Sequence, residues 1–317
     1  MKKYFLTGGA GFLGSHFVDV LLANQETERV TIYDNFSSGK ESHYQHHLTD
    51  ARFSVIKGDI KSFDVLCEAM YDHTTVMHFA SNPDIARAMK EPRIDFDEGI
   101  YLTYQVLEAM RHTRVKHIIY TSGSGVYGEL GETYAKENDG PLIPISTYGA
   151  SKLAGEAFIS SYCHMFGMSA SVFRFANIVG PRQTHGVCYD FIRKLSQNSS
   201  LLTILGDGSQ SKSYIHVDDV VSAVLKAQEH QKPFEIYNVA TEDYITVRDI
   251  ADITVNCMGL ENPVAYQFTG GDRGWKGDIP IVRLNTEKIR ALGWTCQKNS
   301  REAIQDSVLS LIVELSS

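Results

Sequence analysis

Tyr148-Gly149-Ala150-Ser151-Lys152 sets a phenol and an ammonium four residues apart in a segment of helical apolar spacing, so both project from one face. A phenol near its ordinary pKa of ~10 is a poor base at neutral pH, but a neighbouring cation stabilises the phenolate and makes it a usable proton acceptor. Earlier, Gly9-Ala10-Gly11-Phe12-Leu13-Gly14 follows the apolar run Lys3–Thr7 and opens an amphipathic segment. Glycines in that order permit a tight turn and close backbone approach to a pyrophosphate, whose charge meets the free N–H groups and positive dipole end of the helix. About twenty residues past Gly14, Asp34 ends the next strand, placed to accept hydrogen bonds from both hydroxyls of an adenosine ribose. Its charge repels a 2′-phosphate, and no arginine follows in Asn35-Phe36-Ser37-Ser38-Gly39. The pattern predicts NAD rather than NADP.

These residues need a scaffold that brings strand ends to one edge. The first half alternates short β-branched or aromatic runs (Lys3–Thr7, Val30–Tyr33, Phe53–Lys57, Thr75–His78, His117–Thr121, Ser169–Phe173) with helical periodicity at Ser15–Ala23, Phe63–Tyr71, Tyr101–His112 and Thr147–Phe166. Repeated βαβ units of this kind build a doubly wound parallel sheet of Rossmann type, an α/β fold. Past about Asn177 the order loosens around Gly206-Asp207-Gly208 and Gly270-Gly271-Asp272, with helices expected at Val217–Glu229 and Val247–Met258. We therefore expect a dinucleotide-binding domain over 1–176, a return of the chain to it around 212–242, and a smaller α+β substrate-binding lobe over most of 177–317.

The composition narrows the class of partner. Thirty basic against 38 acidic residues leave a net charge of −8, which repels nucleic acid and anionic membranes, so an anionic ligand needs a local cluster of donors. The five cysteines (Cys67, Cys163, Cys188, Cys257, Cys296) are odd in number and lack any Cys-x-x-Cys, as expected of reduced thiols in a cytosol. His46-His47, His185 and His216 have no carboxylate or cysteine at metal-site spacing, so no metal is expected. Met1-Lys2-Lys3 before an apolar run imitates a signal peptide, but the run breaks at Thr7-Gly8-Gly9 and no later stretch holds 18 apolar residues. The expectation is a cytoplasmic protein that binds neither membrane nor nucleic acid.

Taken together, the motifs resemble the extended short-chain dehydrogenase/reductase family, in particular its nucleotide-sugar epimerases and dehydratases of the UDP-glucose 4-epimerase type. The family's glycine motif is Thr7-Gly8-Gly9-Ala10-Gly11-Phe12-Leu13-Gly14, its adenine-contacting pair Asp59-Ile60, and its strand-end His-x-Ala element His78-Phe79-Ala80, with Ser81 following. Val126-Tyr127-Gly128, Arg174-Phe175-Ala176-Asn177-Ile178-Val179-Gly180-Pro181, Tyr214-Ile215-His216-Val217-Asp218-Asp219, Gly277-Asp278 and Leu292-Gly293-Trp294 follow in the family's order. The resemblance implies that Tyr148 takes the proton of a sugar hydroxyl, that Lys152 holds the nicotinamide ribose and lowers the tyrosine pKa, and that Asn177 contacts the phosphate region of a sugar nucleotide. It also implies retained NAD, a UDP-sugar substrate, and a homodimer formed through Tyr101–His112 and Thr147–Phe166.

Several positions depart from the family pattern. Gly123 stands where the family has a Ser or Thr that bonds the reacting sugar oxygen, leaving Ser124 or Ser122 to supply the hydroxyl. Dehydratases of the family carry Asp-Glu just before Val-Tyr-Gly for eliminating water, and Ser124-Gly125 replaces that pair. The usual Asn-x-x-Gly-Thr reads Gly99-Ile100-Tyr101-Leu102-Thr103. Lys212 replaces the phosphate-binding arginine, supplying charge without bidentate geometry, and Arg273 lies two residues from the arginine expected before Gly-Asp. Val282 falls at the family's gate beside the sugar's C2 substituent, with Ile281 or Arg283 there under a one-residue shift. The function this implies is a UDP-hexose 4-epimerase working through a 4-keto intermediate. The alternatives are a 4,6-dehydratase or 4-keto-sugar reductase on the same scaffold and, more remotely, a non-catalytic NAD sensor.

Overall fold

The computed structural model describes residues 2–260 and 262–316. Two compact units emerge, one comprising Met1–Val126, Thr147–Arg174 and Ala227–Tyr237, the other Tyr127–Ser146, Phe175–Lys226 and Asn238–Ser317.

The first unit is built on a seven-stranded sheet. In chain order its elements are β1 (Lys2–Thr7), α1 (Phe12–Ala23), β2 (Thr27–Asp34), β3 (Phe53–Lys57), α2 (Phe63–Met70), β4 (Thr75–His78), a short α3 (Arg93–Asp95) that runs through a π-helical turn into α4 (Leu102–Thr113), β5 (His117–Gly123), α5 (Thr147–Phe166) and β6 (Ser169–Phe175). The seventh strand lies in the late return segment, residues 234–239, and the spatial order ends with it beside β6, then β5-β4-β1-β2-β3. Pairings from β3 through β2, β1 and β4 to β5 are parallel. Strands covered on both faces read as continuous apolar runs, and Tyr4, Phe5, Leu6, Val76, Met77, Ile118 and Ile119 are accordingly buried. Because β1 pairs with both β2 and β4, the winding reverses beside β1, and the crevice outside the carboxyl ends of the strands there is where a doubly wound sheet receives its ligand. Residues 8–14, 79–81 and Ser124 follow those ends, and Asp34 and Gly123 are the last residues of β2 and β5.

The second unit contains β7 (Asn177–Val179), α6 (Val187–Gln197), β8 (Leu201–Ile204), β9 (Ser211–Lys212), β10 (Tyr214–His216), most of α7 (Val217–Gln228), the end of β11 (Phe234–Val239), β12 (Ile245–Thr246), α8 (Val247–Cys257), β13 (Ala265–Phe268), α9 (Glu287–Arg290) and α10 (Ser300–Ser316). Its strands pair in twos: β10 with β7, β12 with β9, β13 with β8. Phe191, Ile192, Leu195, Leu202, Ile250, Ile304, Val308 and Leu311 form its apolar core. Helices α6 and α10 carry no sequence expectation above: α6 buries an unbroken stripe of Cys188, Phe191, Ile192 and Leu195 at helical spacing that the sequence reading missed, whereas the apolar face of α10 is broken by Ser300 and Ser307. Those hydroxyls are buried, accepting the backbone N–H groups of Tyr214 and Gly180 at 3.1 Å each. Elsewhere the element boundaries stay or shift by up to three residues: α1 starts at Phe12 rather than Ser15 and β2 at Thr27 rather than Val30, while α2 ends one residue early at Met70. Among the described residues, no helix is long and apolar enough to cross a membrane.

Candidate active site

The turn between β1 and α1 is a backbone cradle. Gly8 has φ +70°, and a Cβ there would stand 2.7 Å from the Ala80 nitrogen. A Cβ on Gly14 would lie 2.6 Å from Gly9 Cα, so the helix can pack this close to its own entry loop only with glycine. Gly11 is the N-cap of α1 and offers no capping side chain, and no acid occupies the first turn, so the N–H groups around Phe12 and Leu13 and the dipole remain available to an anion. These residues fit the pyrophosphate of a dinucleotide.

Asp34 is buried at the end of β2, where its carboxylate accepts the N–H of Ala10 at 3.0 Å and of Phe36 at 2.8 Å. Burial raises its pKa against the pull of those two donors. Gly39 closes on it, since a Cβ there would stand 3.1 Å from Oδ1 and 2.7 Å from Ala10 Cβ. Asn35, Ser37 and Ser38 are exposed on the loop between, with the Ser37 N–H bonded to Asn35 Oδ1 at 3.0 Å. After β3, Ile60 is buried, and the Asp59 side chain caps its own turn by accepting the Lys61 N–H at 2.9 Å. Phe79 stacks on Phe17 of α1 at 5.0 Å, while the N–H groups of Phe79 and Ala80 bond Thr7 O. His78 is a buried link between Thr7 Oγ1 (2.7 Å) and Thr103 Oγ1 (3.2 Å), and burial pulls it down to about 3, so it stays neutral.

Tyr148 and Lys152 stand one turn apart near the start of α5. Lys152, 4 % exposed, places Nζ 5.6 Å from the centroid of the Tyr148 ring and 5.3 Å from that of Tyr120, and donates to Thr121 O at 2.9 Å. Burial pulls its ammonium down to about 8, while the carboxylates of Asp95 and Glu156 hold it up. Burial pushes the Tyr148 phenol up to about 12; Asp95 adds to this, and the nearby Ser81 side chain works the other way. The π-helical turn brings Gly99 against α5, where a Cβ would meet Ser151 Oγ at 2.6 Å, and Ser151 bonds Tyr148 O at 2.8 Å. That close approach is the physical reason for glycine at the family's asparagine position.

The two candidate hydroxyls differ. Ser122 is buried and donates to Glu156 Oε1 at 2.5 Å, and Glu156 pairs in turn with buried Arg174 at 2.6 Å. Ser124 lies in the turn after β5, and no hydrogen bond of its hydroxyl is found among the described residues. Its neighbour Gly125 would place a Cβ 3.6 Å from Gly149 Cα, so this turn lies against the residue next to Tyr148.

In the second unit the expected cations already hold carboxylates. Lys212 is ion-paired with Asp278. Arg273 bonds Glu129 at 2.6 Å and Asp272 at 3.0 Å, which raises its pKa. Val282 donates its N–H to Ser211 O at 3.4 Å, so the gate segment runs beside the strand that carries Lys212. Arg283 next to it is buried, bonded to Glu132 at 2.9 Å and stacked 3.7 Å from the Tyr244 ring centroid. Asn177 is paired in register with Tyr214 on the neighbouring strand, and its side chain favours the Tyr214 phenolate against the burial that pushes that phenol up. Trp294 is a core residue tied to Ser222 at 2.9 Å.

The sequence reading missed the polar residues around Tyr148, namely buried Asp95 and Asn82 and the exposed Thr147 that bonds Asp95, because no spacing rule links them. It also found no carboxylate for His46-His47. Asp19 on α1 supplies one, with Oδ1 2.9 and 2.7 Å from their Nε2 atoms and all three ligand atoms within 4.8 Å.

Comparison with known proteins agrees with this geometry. The sequence model of the NAD dependent epimerase/dehydratase family matches residues 4–240. A putative UDP-glucose 4-epimerase of Methanocaldococcus jannaschii is 31% identical over 306 residues, covering 95% of each chain. The crystal structure of a UDP-galactose 4-epimerase superposes with TM-score 0.87 at 35% identity over 99% of both chains. A UDP-glucose 4-epimerase of Thermotoga maritima, solved with UDP-glucose, does so with TM-score 0.86 at 28% identity over 99% of both. A match of that extent, over the residues that build the cradle and the Tyr148–Lys152 pair, carries a plain conclusion: this chain belongs to the NAD-dependent epimerase/dehydratase family.

Proposed function

We propose that the chain interconverts the C4 epimers of a UDP-hexose and keeps its NAD from one turnover to the next. The observation that carries this reading is the Tyr148–Lys152 pair, with the cation 5.6 Å from the phenol ring, beside a turn that reads Ser124-Gly125 in place of the Asp-Glu needed to expel water. NAD in the cradle supplies the hydride acceptor and donor. Tyr148, as phenolate, takes the O4 proton, and Ser124 bonds the same oxygen as the carbonyl forms. Lys152 stabilises the phenolate and keeps the ribose in place. Inversion then requires the 4-keto sugar to turn over, after which Tyr148 returns the proton. Gly8, Gly11, Phe12, Leu13, Gly14, Asp34, the 35–39 loop, Asp59, Ile60 and 79–81 would hold the cofactor. Asn177, Lys212, Arg273 and Val282 would contact the sugar nucleotide, Lys212 and Arg273 by exchanging their carboxylate partners for phosphate. The division into a cofactor domain over 1–176, to which the chain returns around 212–242, and a mainly substrate-binding 177–317 belongs to the same reading, except that Tyr127–Ser146 falls in the second unit and the return is limited to Ala227–Tyr237. So does a homodimer through α4 and α5, whose exposed Tyr104, Phe158 and Met165 support it.

The test is a panel of sugar nucleotides followed by NMR without added cofactor. Redox-neutral C4 epimers are expected. A stable 4-keto-6-deoxy product would instead assign a dehydratase, and a stoichiometric need for external NADH would assign a reductase.

A further inference from the structure

Asp95 is a carboxylate buried to 1 % exposure between the chain segments that carry the proton-transfer groups. Its Oδ1 accepts from Asn82 Nδ2 at 2.9 Å, and Asn82 follows Ser81, whose side chain favours the Tyr148 phenolate. Its Oδ2 accepts from Thr147 Oγ1 at 2.6 Å, and Thr147 precedes Tyr148. Asn82 is fixed further by Asp84, donating to its backbone O at 3.0 Å and accepting its N–H at 3.0 Å. Both Asp95 oxygens thus go to neutral donors, a costly arrangement for a buried charge unless it serves something nearby.

We propose that Asp95 is a positioning residue for proton transfer: its two oxygens clamp the start of α5, which carries Tyr148, to the segment after β4, which carries Ser81, and so fix where the phenol stands. This rests on Tyr148 being the base and adds a residue that touches neither substrate nor cofactor.

The clamp has an electrostatic consequence. The titratable groups facing Tyr148 and Lys152 are Asp95 from α3, Glu156 from α5, Tyr120 from β5 and His78 from β4. His78 is held neutral by burial, Tyr120 is pushed up by burial, and Glu156 is paired with Arg174 and acts on Lys152 but not on Tyr148. Asp95 is the negative charge that raises the pKa of both Tyr148 and Lys152. It keeps the lysine cationic at neutral pH at the expense of phenol acidity.

The test uses the NAD-loaded protein and four variants, with kcat, KM and pH–rate profiles for each. Asp95→Asn should lower kcat about 10- to 100-fold, the scale of a misplaced reacting group, with KM changed less than about threefold. Both limbs of its pH profile should move to lower pH by up to about one unit, because Tyr148 and Lys152 lose the same neighbouring charge. Thr147→Ala removes one arm of the clamp and leaves the charge, so kcat should fall without movement of the limbs, and Thr147→Ser should restore it. A folded Asp95→Asn with native kcat and limbs overturns the proposal. If that variant does not fold, native kcat in Thr147→Ala overturns it. Tyr148→Phe separates the two levels. Near-normal turnover there removes the base assignment itself, whereas an inactive Tyr148→Phe beside a native-like Asp95→Asn removes the clamp alone.

Discussion

Replacing Lys152 by methionine should make the protein more stable and nearly inactive. The ammonium is buried and its pKa falls from 10.5 to about 8, so holding it charged costs about 3 kcal/mol at roughly 1.4 kcal/mol per pH unit. Methionine fills similar volume without that cost, but leaves Thr121 O without the donor now at 2.9 Å, a loss of about 1 kcal/mol. The net gain at pH 7 is then about 2 kcal/mol. Its pH dependence has a definite sign. Between pH 8 and 10.5 the unfolded lysine binds more protons than the folded one, so the parent's stability rises with pH through that window. The variant's stability lacks this rise, and the two should converge near pH 10. Catalysis should fall by about 10²-fold or more, because the phenolate loses its cation. Urea unfolding at pH 7 and pH 10, with epimerisation assayed on the same preparations, tests both halves. A variant no more stable than the parent at pH 7, or a gain that persists undiminished at pH 10, would refute the reasoning.

Ser124→Ala should cost about 10- to 1000-fold in kcat, the range for losing one hydrogen bond made in the transition state. Ser122→Ala should instead lower thermal stability by exposing the Glu156–Arg174 pair to an unmade bond, with a smaller effect on rate; the reverse pattern would assign the reacting hydroxyl to Ser122. Asp34→Asn should weaken NAD binding about tenfold while narrowing the gap to NADP, because the amide loses an acceptor for the ribose and the charge that repels a 2′-phosphate. Equal affinity for NAD and NADP in the unaltered protein would contradict that role. Val282→Tyr should depress turnover of UDP-N-acetylhexosamines more than of UDP-hexoses, and equal effects on both would place the gate elsewhere.

The sequence by itself determined the parts of this protein whose chemistry is local. Gly8–Gly14 and Asp34 were legible because a strand, a tight turn, a helix N-terminus and a strand-end acid occur at fixed separations along the chain. Tyr148 and Lys152 were legible because helix geometry puts residues four apart on one face. Apolar runs and helical periods located most elements of the first unit to within three residues. Only the tertiary structure decided what surrounds those groups. Buried polar partners obey no sequence period, so Ser122 is committed to Glu156 and Arg174, Lys212 to Asp278, and His46-His47 to Asp19 across 27 residues or more. Asp95 reads as one acid among many in Ile94-Asp95-Phe96. It becomes distinctive only when the fold buries it between Asn82 and Thr147, where burial makes each hydrogen bond and each neighbouring charge count.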